Sequence, residues 1–338
     1  MAARNLAGRK LVLLAASIIV ILLCAGLGAY YYMLGVPGTP HRGSLPALTQ
    51  DERTLAGRLK THIAAIAERE HNIDSYEDLE KAARYIERTL AGYGYKSAPQ
   101  EFTARGKRVR NVEATIEAAN ADADTIVAGA HYDSAIGSPG ANDNATGAAA
   151  VLELARLLSD LKGKAGKRIR LVLFVNEEMP YFGTPDMGSL QYARMLTERG
   201  ERVTAMYSLE TLGFYSEAPG SQKYPAPFGL VLPDRGDFIS FVGMLGSRPL
   251  LQDAMRSFRS HTAFPTIGGV SPGFIPGIAW SDHWAFAQHG FQALMITDTA
   301  LFRYPHYHKP TDTPDKIDNE RLARVVKGIE RVIRDQAR

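Results

Sequence analysis

The sequence predicts an α/β fold in which a mainly parallel or mixed sheet is flanked by helices on both faces, preceded by one N-terminal transmembrane helix. Three observations carry this expectation. Short apolar or β-branched runs alternate with segments whose apolar residues recur every three or four positions, the pattern of strand–helix–strand units. The strand runs are apolar almost throughout, as expected of strands buried on both faces. No charged side chain occurs from Leu11 to Ala29.

The N-terminal run comes first. Roughly 20 apolar residues, rising about 1.5 Å each, cross a hydrocarbon core of about 30 Å, so residues 1–34 are expected to be a cytoplasmic tail and signal anchor. Arg4, Arg9 and Lys10 before the run and Tyr30, Tyr31 and Tyr32 after it predict a cytoplasmic N-terminus, an extracytoplasmic body and the lipid bilayer as a partner. The alternative is a signal peptide cleaved near Tyr30 to leave a secreted protein, although such apolar cores usually run only about 7–15 residues. Cys24, the only cysteine, reads as an apolar helix residue, and one cysteine cannot crosslink the body. Pro and Gly recur among polar residues after the run, so 35–50 is expected to be a linker and 51–338 the folded domain.

Within that domain Leu55–Ile66 and Tyr76–Leu90 predict amphipathic helices. Strands are expected at Val112–Ile116, Thr125–Ala130, Ile169–Val175, Val203–Leu209, Gly229–Leu232 and Ala293–Thr297. Helices are expected at Gly147–Leu161, Ser189–Glu198, Asp237–Leu245, Pro249–Phe258, Asp282–Gln288 and Leu322–Ile333. Phe214–Phe228 and Thr262–Ile278, rich in Gly and Pro, fit neither pattern and read as loops that wall a functional pocket. Hydrophobic residues make up 45% and charged residues 22% of the 338, which excludes a disordered or fibrous chain. Without the three basic residues before the apolar run, 36 basic residues face 36 acidic ones, a balance that argues against nucleic acid as a partner.

In a parallel sheet functional groups collect at the carboxyl ends of the strands. The second predicted strand runs into His131-Tyr132-Asp133, the third into Asn176-Glu177-Glu178 and the fourth into Glu210. Gly140–Gly147 is a turn sequence that puts Asp143 just before a helix, and Tyr307-His308 follows the last strand. Each residue alone is commonplace: a lone histidine is usually structural, and Asp143 alone would be a helix cap. Two imidazoles and several carboxylates at successive strand ends together suit a divalent transition metal, zinc ahead of calcium.

These segments resemble the co-catalytic dizinc aminopeptidases, metallopeptidase family twenty-eight, which also includes glutamate carboxypeptidases and glutaminyl cyclases. The resemblance spans about Leu55 to Ile333. It rests on His131–Asp133, Asn142–Gly147, Asn176–Glu178, Ser281–His283 and Tyr307–His308, in that order. It implies a zinc aminopeptidase/phosphorylase-hydrolase-like fold, two Zn2+ per chain and peptide substrates with a free N-terminus. It also implies that Asp143 bridges the two ions, with His131 and Glu210 completing one site and Glu178 and His308 the other. Glu177 becomes the general base, Asp133 orients the His131 ring, and Tyr307 donates its hydroxyl to the oxyanion. The family more often has aspartate where Glu210 stands, and the added methylene changes the reach to that metal. Ser281 reads equally as a cleft residue or as a helix cap. Two rivals remain. One is glutaminyl cyclase-type acyl transfer with one zinc, which the peptidase form of Asn142–Gly147 disfavours. The other is a non-catalytic ectodomain, which competent residue types at every site position disfavour.

Overall fold

The computed structural model describes residues 2–96 and 99–338. Met1, the start of the expected anchor segment, and the side chain of Arg4 lie outside the described residues. The apolar run forms one helix, α1 (Ala2–Leu34), in which Leu13–Leu34 is a 22-residue apolar stretch with none of it buried. That stretch is roughly 33 Å long, enough to cross a hydrocarbon core. Residues 35–49 then run along the body, where Gln252 donates to the Gly35 carbonyl (2.6 Å) and Arg259 to those of Pro37 and Gly38 (both 2.8 Å).

Helix α2 (Gln50–Ile66) begins at a reciprocal cap: the Glu52 N–H donates to the Thr49 hydroxyl (3.2 Å) and the Thr49 N–H to the Glu52 carboxylate (2.7 Å). Helix α3 (Tyr76–Gly92) turns Leu79, Ala82, Ala83, Ile86 and Leu90 inward, three and four residues apart. There follow β1 (Gln100–Ala104), β2 (Lys107–Ile116), β3 (Thr125–His131), α4 (Thr146–Leu157), β4 (Arg168–Phe174), α5 (Gly188–Glu198), β5 (Val203–Glu210) and β6 (Ile239–Met244). The chain continues through α6 (Arg248–His261), β7 (Thr266–Ser271), α7 (His283–Gln288), β8 (Ala293–Thr297), α8 (Ala300–Arg303) and α9 (Asn319–Gln336).

The strands form one mixed sheet in the order β1-β2-β4-β3-β5-β8-β6-β7. Strands β4, β3, β5 and β8 are mutually parallel; β2 is antiparallel to β4, and β6 is antiparallel to β8. From β3 the chain crosses outward to β4 and then back past β3 to β5. Right-handed crossovers in opposite directions lay their helices on opposite faces of a sheet. Ile126, Ala128 and Ala130 of β3 accordingly share a core with α2, α4 and α9, whereas Val127 packs with Tyr192 and Leu196 of α5 and Phe286 of α7.

Two expected elements are corrected. Asp237–Leu245, read as a helix, contains β6: Ile239 and Phe241 face the helical core while Ser240 and Val242 line a cavity. Both faces carry apolar residues, so the period-two signal of a half-buried strand is missing. Gly229–Leu232, read as a strand, lies in a tight turn with Leu230 86% exposed. Pro225, Pro227 and Pro233 surround it and no strand pairs with it among the described residues, as expected where prolines remove ladder donors. The stretch read as a loop at Thr262–Ile278 contains β7, and the edge strand β1, largely polar, was not expected at all.

One buried acid pins the helical layer. Glu153 of α4 accepts from Arg58 (2.9 Å), Tyr93 (3.0 Å) and Arg156 (2.8 Å) and lies 3.1 Å from His62. Burial by itself raises this carboxyl, but hydrogen bonds from His62, Arg156 and Arg58 outweigh it and bring it from 4.5 down to about 2. A depressed carboxylate contributes stability that is whole above its unfolded pKa and is lost as pH falls from 4.5 towards 2. Glu153→Gln is therefore expected to cost on the order of 2–3 kcal/mol at neutral pH and to flatten the fall of Tm between pH 5 and 3, measured by thermal unfolding of the full chain in lipid nanodiscs. A wild-type acid profile in the variant would show that Glu153 does not carry this pH dependence.

Candidate metal centre

Because β3, β4 and β5 are parallel, and the one register shift between β3 and β5 lies at Thr125–Ile126 at the opposite end, their carboxyl ends share one edge of the sheet. His131 closes β3, Glu177 and Glu178 follow β4, and Glu210 closes β5. Asp143 arrives from a kinked turn, Ala141–Ala145, whose backbone leaves helical angles at Asp143 and Asn144 just before α4, and His308 from the loop after α8. The polar residues around Asp143 lock this turn to the end of β5. Asn142 donates to Asp298 (2.9 Å) and accepts from the Gly213 N–H (2.9 Å). Asn144 donates to the Leu209 carbonyl (2.8 Å) and accepts from the Thr211 N–H (3.1 Å). A Cβ on Gly147 would collide with that same Leu209 carbonyl, which is why α4 can start so close to the strand.

Five of these six acidic and imidazole side chains meet as two donor sets, and Glu177 stands beside them. His131, Asp143 and Glu210 bring their ligand atoms within 4.8 Å of one another, and so do Asp143, Glu178 and His308. His131 Nε2 stands 3.3 Å from Asp143 Oδ1 and 3.3 Å from Glu210 Oε2; His308 Nε2 stands 3.0 Å from Asp143 Oδ2 and 3.3 Å from Glu178 Oε2. Glu177 Oε2 lies 3.8 Å from His131 Nε2. Asp143 is the member common to both sets.

Several neighbours aim these groups. The His131 Nδ1–H donates to the Asp133 carbonyl (3.0 Å), leaving Nε2 free to face the acids. The Asp133 carboxylate is 3.6 Å from that Nδ1, and it accepts instead from the backbone N–H groups of Glu177 and Glu178 (both 3.1 Å). Ser281 does not cap a helix with its side chain: its hydroxyl donates to Glu210 Oε2 (2.7 Å). Asp312 gave no sign of itself in the sequence, yet it accepts from the N–H groups of Asn142 (2.8 Å) and Asp143 (3.1 Å) and from the Tyr304 hydroxyl (2.7 Å). Asn176, Thr211 and His308 hold φ values of +61°, +50° and +53°. Such left-handed backbone costs a non-glycine residue on the order of 1 kcal/mol or more, and here it turns the chain beside Glu177, Glu210 and His308.

Burial and the close packing of these groups set their electrostatics. Burial and then the neighbouring carboxylates of Glu210 and Glu178 push Glu177 well above the ordinary range. Burial and Asp143 raise Glu178 to about 7, and burial, with Asp143, raises Glu210 to about 7. Burial alone would lower the histidines, but Glu210 and Glu177 hold His131 well above its usual value, and Asp143 and Glu178 raise His308 to about 10. Asp143, facing both imidazoles, is held below its usual value despite burial. Tyr307, stacked on His308 with ring centroids 3.9 Å apart, keeps its proton because burial and then Asp143 push the phenol up.

The donor set fits zinc. His131 Nε2 and Glu178 Oε1 are buried with no hydrogen-bond partner among the described residues. The donor separations of 3.0–3.3 Å match the edge of a tetrahedron, roughly 3.3 Å, around an ion with bonds of about 2.0–2.1 Å. Two imidazoles with carboxylates are what a borderline cation prefers. The comparisons agree with this. The sequence profile described as Peptidase family M28 matches residues 111–333. The chain belongs to peptidase family M28.

A relative of this family member is the uncharacterized protein YfbL of Escherichia coli strain K12, 37% identical over 303 residues that cover 87% of this chain and 89% of that one. Leucine aminopeptidase 1 of Arthroderma otae is 26% identical over 213 residues, 59% of this chain and 51% of that protein, so the match spans about half of that relative's length. Among solved structures, the aminopeptidase from Aneurinibacillus sp. strain AM-1 superposes with a TM-score of 0.65 at 20% identity, over 85% of this chain and 95% of that one, a likeness of fold. At the level of the family the chain is a peptidase, and zinc is the metal the family implies.

Glu210 carries one testable consequence. Glu210→Asp draws the carboxylate back by one methylene, away from the Ser281 hydroxyl that aims it. Activity is expected to persist, with zinc affinity at the Glu210 donor set weakened on the order of 10-fold, the lower end of what loss of an orienting partner costs. Zinc analysis during titration with a competing chelator reads this directly, and unchanged affinity for both ions would remove Ser281 from the site.

Proposed function

We propose that this chain is a membrane-anchored, zinc-dependent aminopeptidase that removes N-terminal residues from peptides. The observation that supports it best is the pair of donor sets sharing Asp143, with Glu177 beside them and no ligand role of its own. His131, Asp143 and Glu210 would hold one zinc, and Asp143, Glu178 and His308 the other. Bound there, two zinc ions supply a water of lowered pKa and polarise the scissile carbonyl.

The protein's own groups do the rest. Glu177, held by its N–H to Asp133, takes the proton of the attacking water at its carboxylate and returns it to the leaving amine. Tyr307, kept protonated, donates its hydroxyl to the oxygen on which negative charge develops. Asp133 stations Glu177 and Glu178 through their two N–H groups and, through its carbonyl, fixes the His131 ring. The acidic cluster gives a free substrate α-amine a favourable place and an N-blocked substrate none.

Leu13–Leu34 spans the membrane in this proposal, with Arg9 and Lys10 on the cytoplasmic side and residues 51–338 outside. The test is the full chain recovered from membranes, loaded with zinc and given a panel of aminoacyl-anilides and their N-acetylated counterparts. Hydrolysis of the free-amine set alone is expected. Equal hydrolysis of both sets would make the protein an amidase of another kind, and cyclisation of an N-terminal glutamine would favour acyl transfer.

A further inference from the structure

A cavity of about 130 Å³ opens beside Glu210 and Tyr307, close to the roughly 150 Å³ that holds a benzene ring in an apolar interior. Its walls include Val242 and Met295 of the sheet, Phe228, Ile278 and, from the far end of the sequence, Leu34. Leu34 is the last residue of α1. It fits there because β7 carries glycine: a Cβ on Gly269 would stand 2.9 Å from the Leu34 side chain and 3.1 Å from the Met33 carbonyl oxygen. Arg248 holds the helix end in place, donating to the Tyr32 carbonyl (2.9 Å) and lying over the Tyr32 ring, whose hydroxyl donates to the Leu245 carbonyl (3.3 Å).

Leu34 closes the apolar stretch that is long enough to cross a bilayer, so whatever it touches lies at the height of the membrane–water boundary. Tyr30, Tyr31 and Tyr32 are exposed at the same level, where aromatic rings settle. The surroundings of the cavity mouth are apolar on the outside too. Trp280 and Leu301 line the cavity and are 52% and 43% exposed. Leu230, 86% exposed, stands between the lining residues Phe228 and Leu232, and Phe274, equally exposed, is two residues before the lining Pro276. Such a rim is a liability in water and ordinary at a lipid surface.

We infer that this cavity opens at the bilayer surface and takes the large apolar N-terminal side chain of peptides lying on the same membrane, with the anchor's Leu34 as part of its wall. The inference rests on the aminopeptidase reading and names the substrate class of that site. A peptide with an apolar N-terminus partitions to the boundary where the mouth lies, which raises its effective concentration there. Its α-amine then faces the acidic cluster while its first side chain enters the cavity.

Two measurements on the full chain in nanodiscs test it. The chain has two tryptophans, so in a Trp284→Phe background the emission comes from Trp280 alone. Lipids brominated near the headgroup end of the acyl chain are expected to quench it by half or more; no quenching overturns the placement at the membrane, whether or not the enzyme is active. The second is the ratio of kcat/KM for leucyl- over alanyl-anilide, which Leu34→Trp is expected to lower at least tenfold by filling the cavity. An unchanged ratio in an active, zinc-loaded variant overturns Leu34 as a wall. Failure to hydrolyse either anilide with two zincs bound refutes the aminopeptidase reading itself, and the quenching result then still decides where the rim lies.

Discussion

Asp143→Ala is expected to lose both zinc ions and with them all measurable hydrolysis. Asp143 Oδ1 and Oδ2 face different histidines, at 3.3 Å from His131 and 3.0 Å from His308, so each donor set loses a member when this one side chain goes. Each set is then reduced to one imidazole and one carboxylate, too few for the three or four protein ligands that zinc sites use. The effect on activity should exceed the roughly 10–100-fold that removal of an outer partner costs a metal site. Zinc content by elemental analysis beside anilide hydrolysis measures it. Asp143→Asn, which keeps the shape and the Asp312 contact to the backbone, separates ligand loss from collapse of the turn. Normal zinc content and turnover in Asp143→Ala would show that this residue does not bridge.

The second large effect belongs to Glu177. Its neighbour Glu178 shares the same anchor, the Asp133 carboxylate that accepts both N–H groups, yet their side chains part: Glu178 Oε2 reaches 3.3 Å from His308, and Glu177 Oε2 turns to 3.8 Å from His131. Successive residues leaving a strand point in different directions, so one motif supplies both a donor and an unligated acid. Glu177→Gln keeps the volume and removes the proton acceptor. Zinc content should stay at two while kcat falls on the order of 10²–10⁴-fold, the usual range for loss of a general base. KM should change little, because the pocket walls and the donor sets are untouched. A near-normal kcat with two zincs bound would take Glu177 out of the mechanism.

How much of this was legible varies by element. Strands β3, β4 and β5 stood out because strands buried on both faces are apolar runs, and such runs end abruptly where the chain reaches the polar edge of the sheet. His131, Glu177, Glu178 and Glu210 occupy those endings. Strands β6 and β7 hid for the opposite reason: one has apolar residues on both sides at spacings that imitate a helix, and the other spends two of its six residues on glycine. The stretch Gly229–Leu232 looked like a strand, but the prolines on either side of it leave too few ladder donors and it folds as a turn.

The sequence by itself determined the residue types of the centre, their order, the family they belong to and the apolar length of the first helix, because these are properties of short segments and their spacing. Tertiary structure alone decided which donors share an ion-sized space, since that depends on strand register and on loops that return residues 281, 308 and 312 to an edge begun at residue 131. It likewise decided that Ser281 serves Glu210 rather than a helix end, and that Leu34 forms a wall of the cavity beside Glu210. Distances between residues far apart along the chain are set by packing around a common core, and no local pattern encodes them.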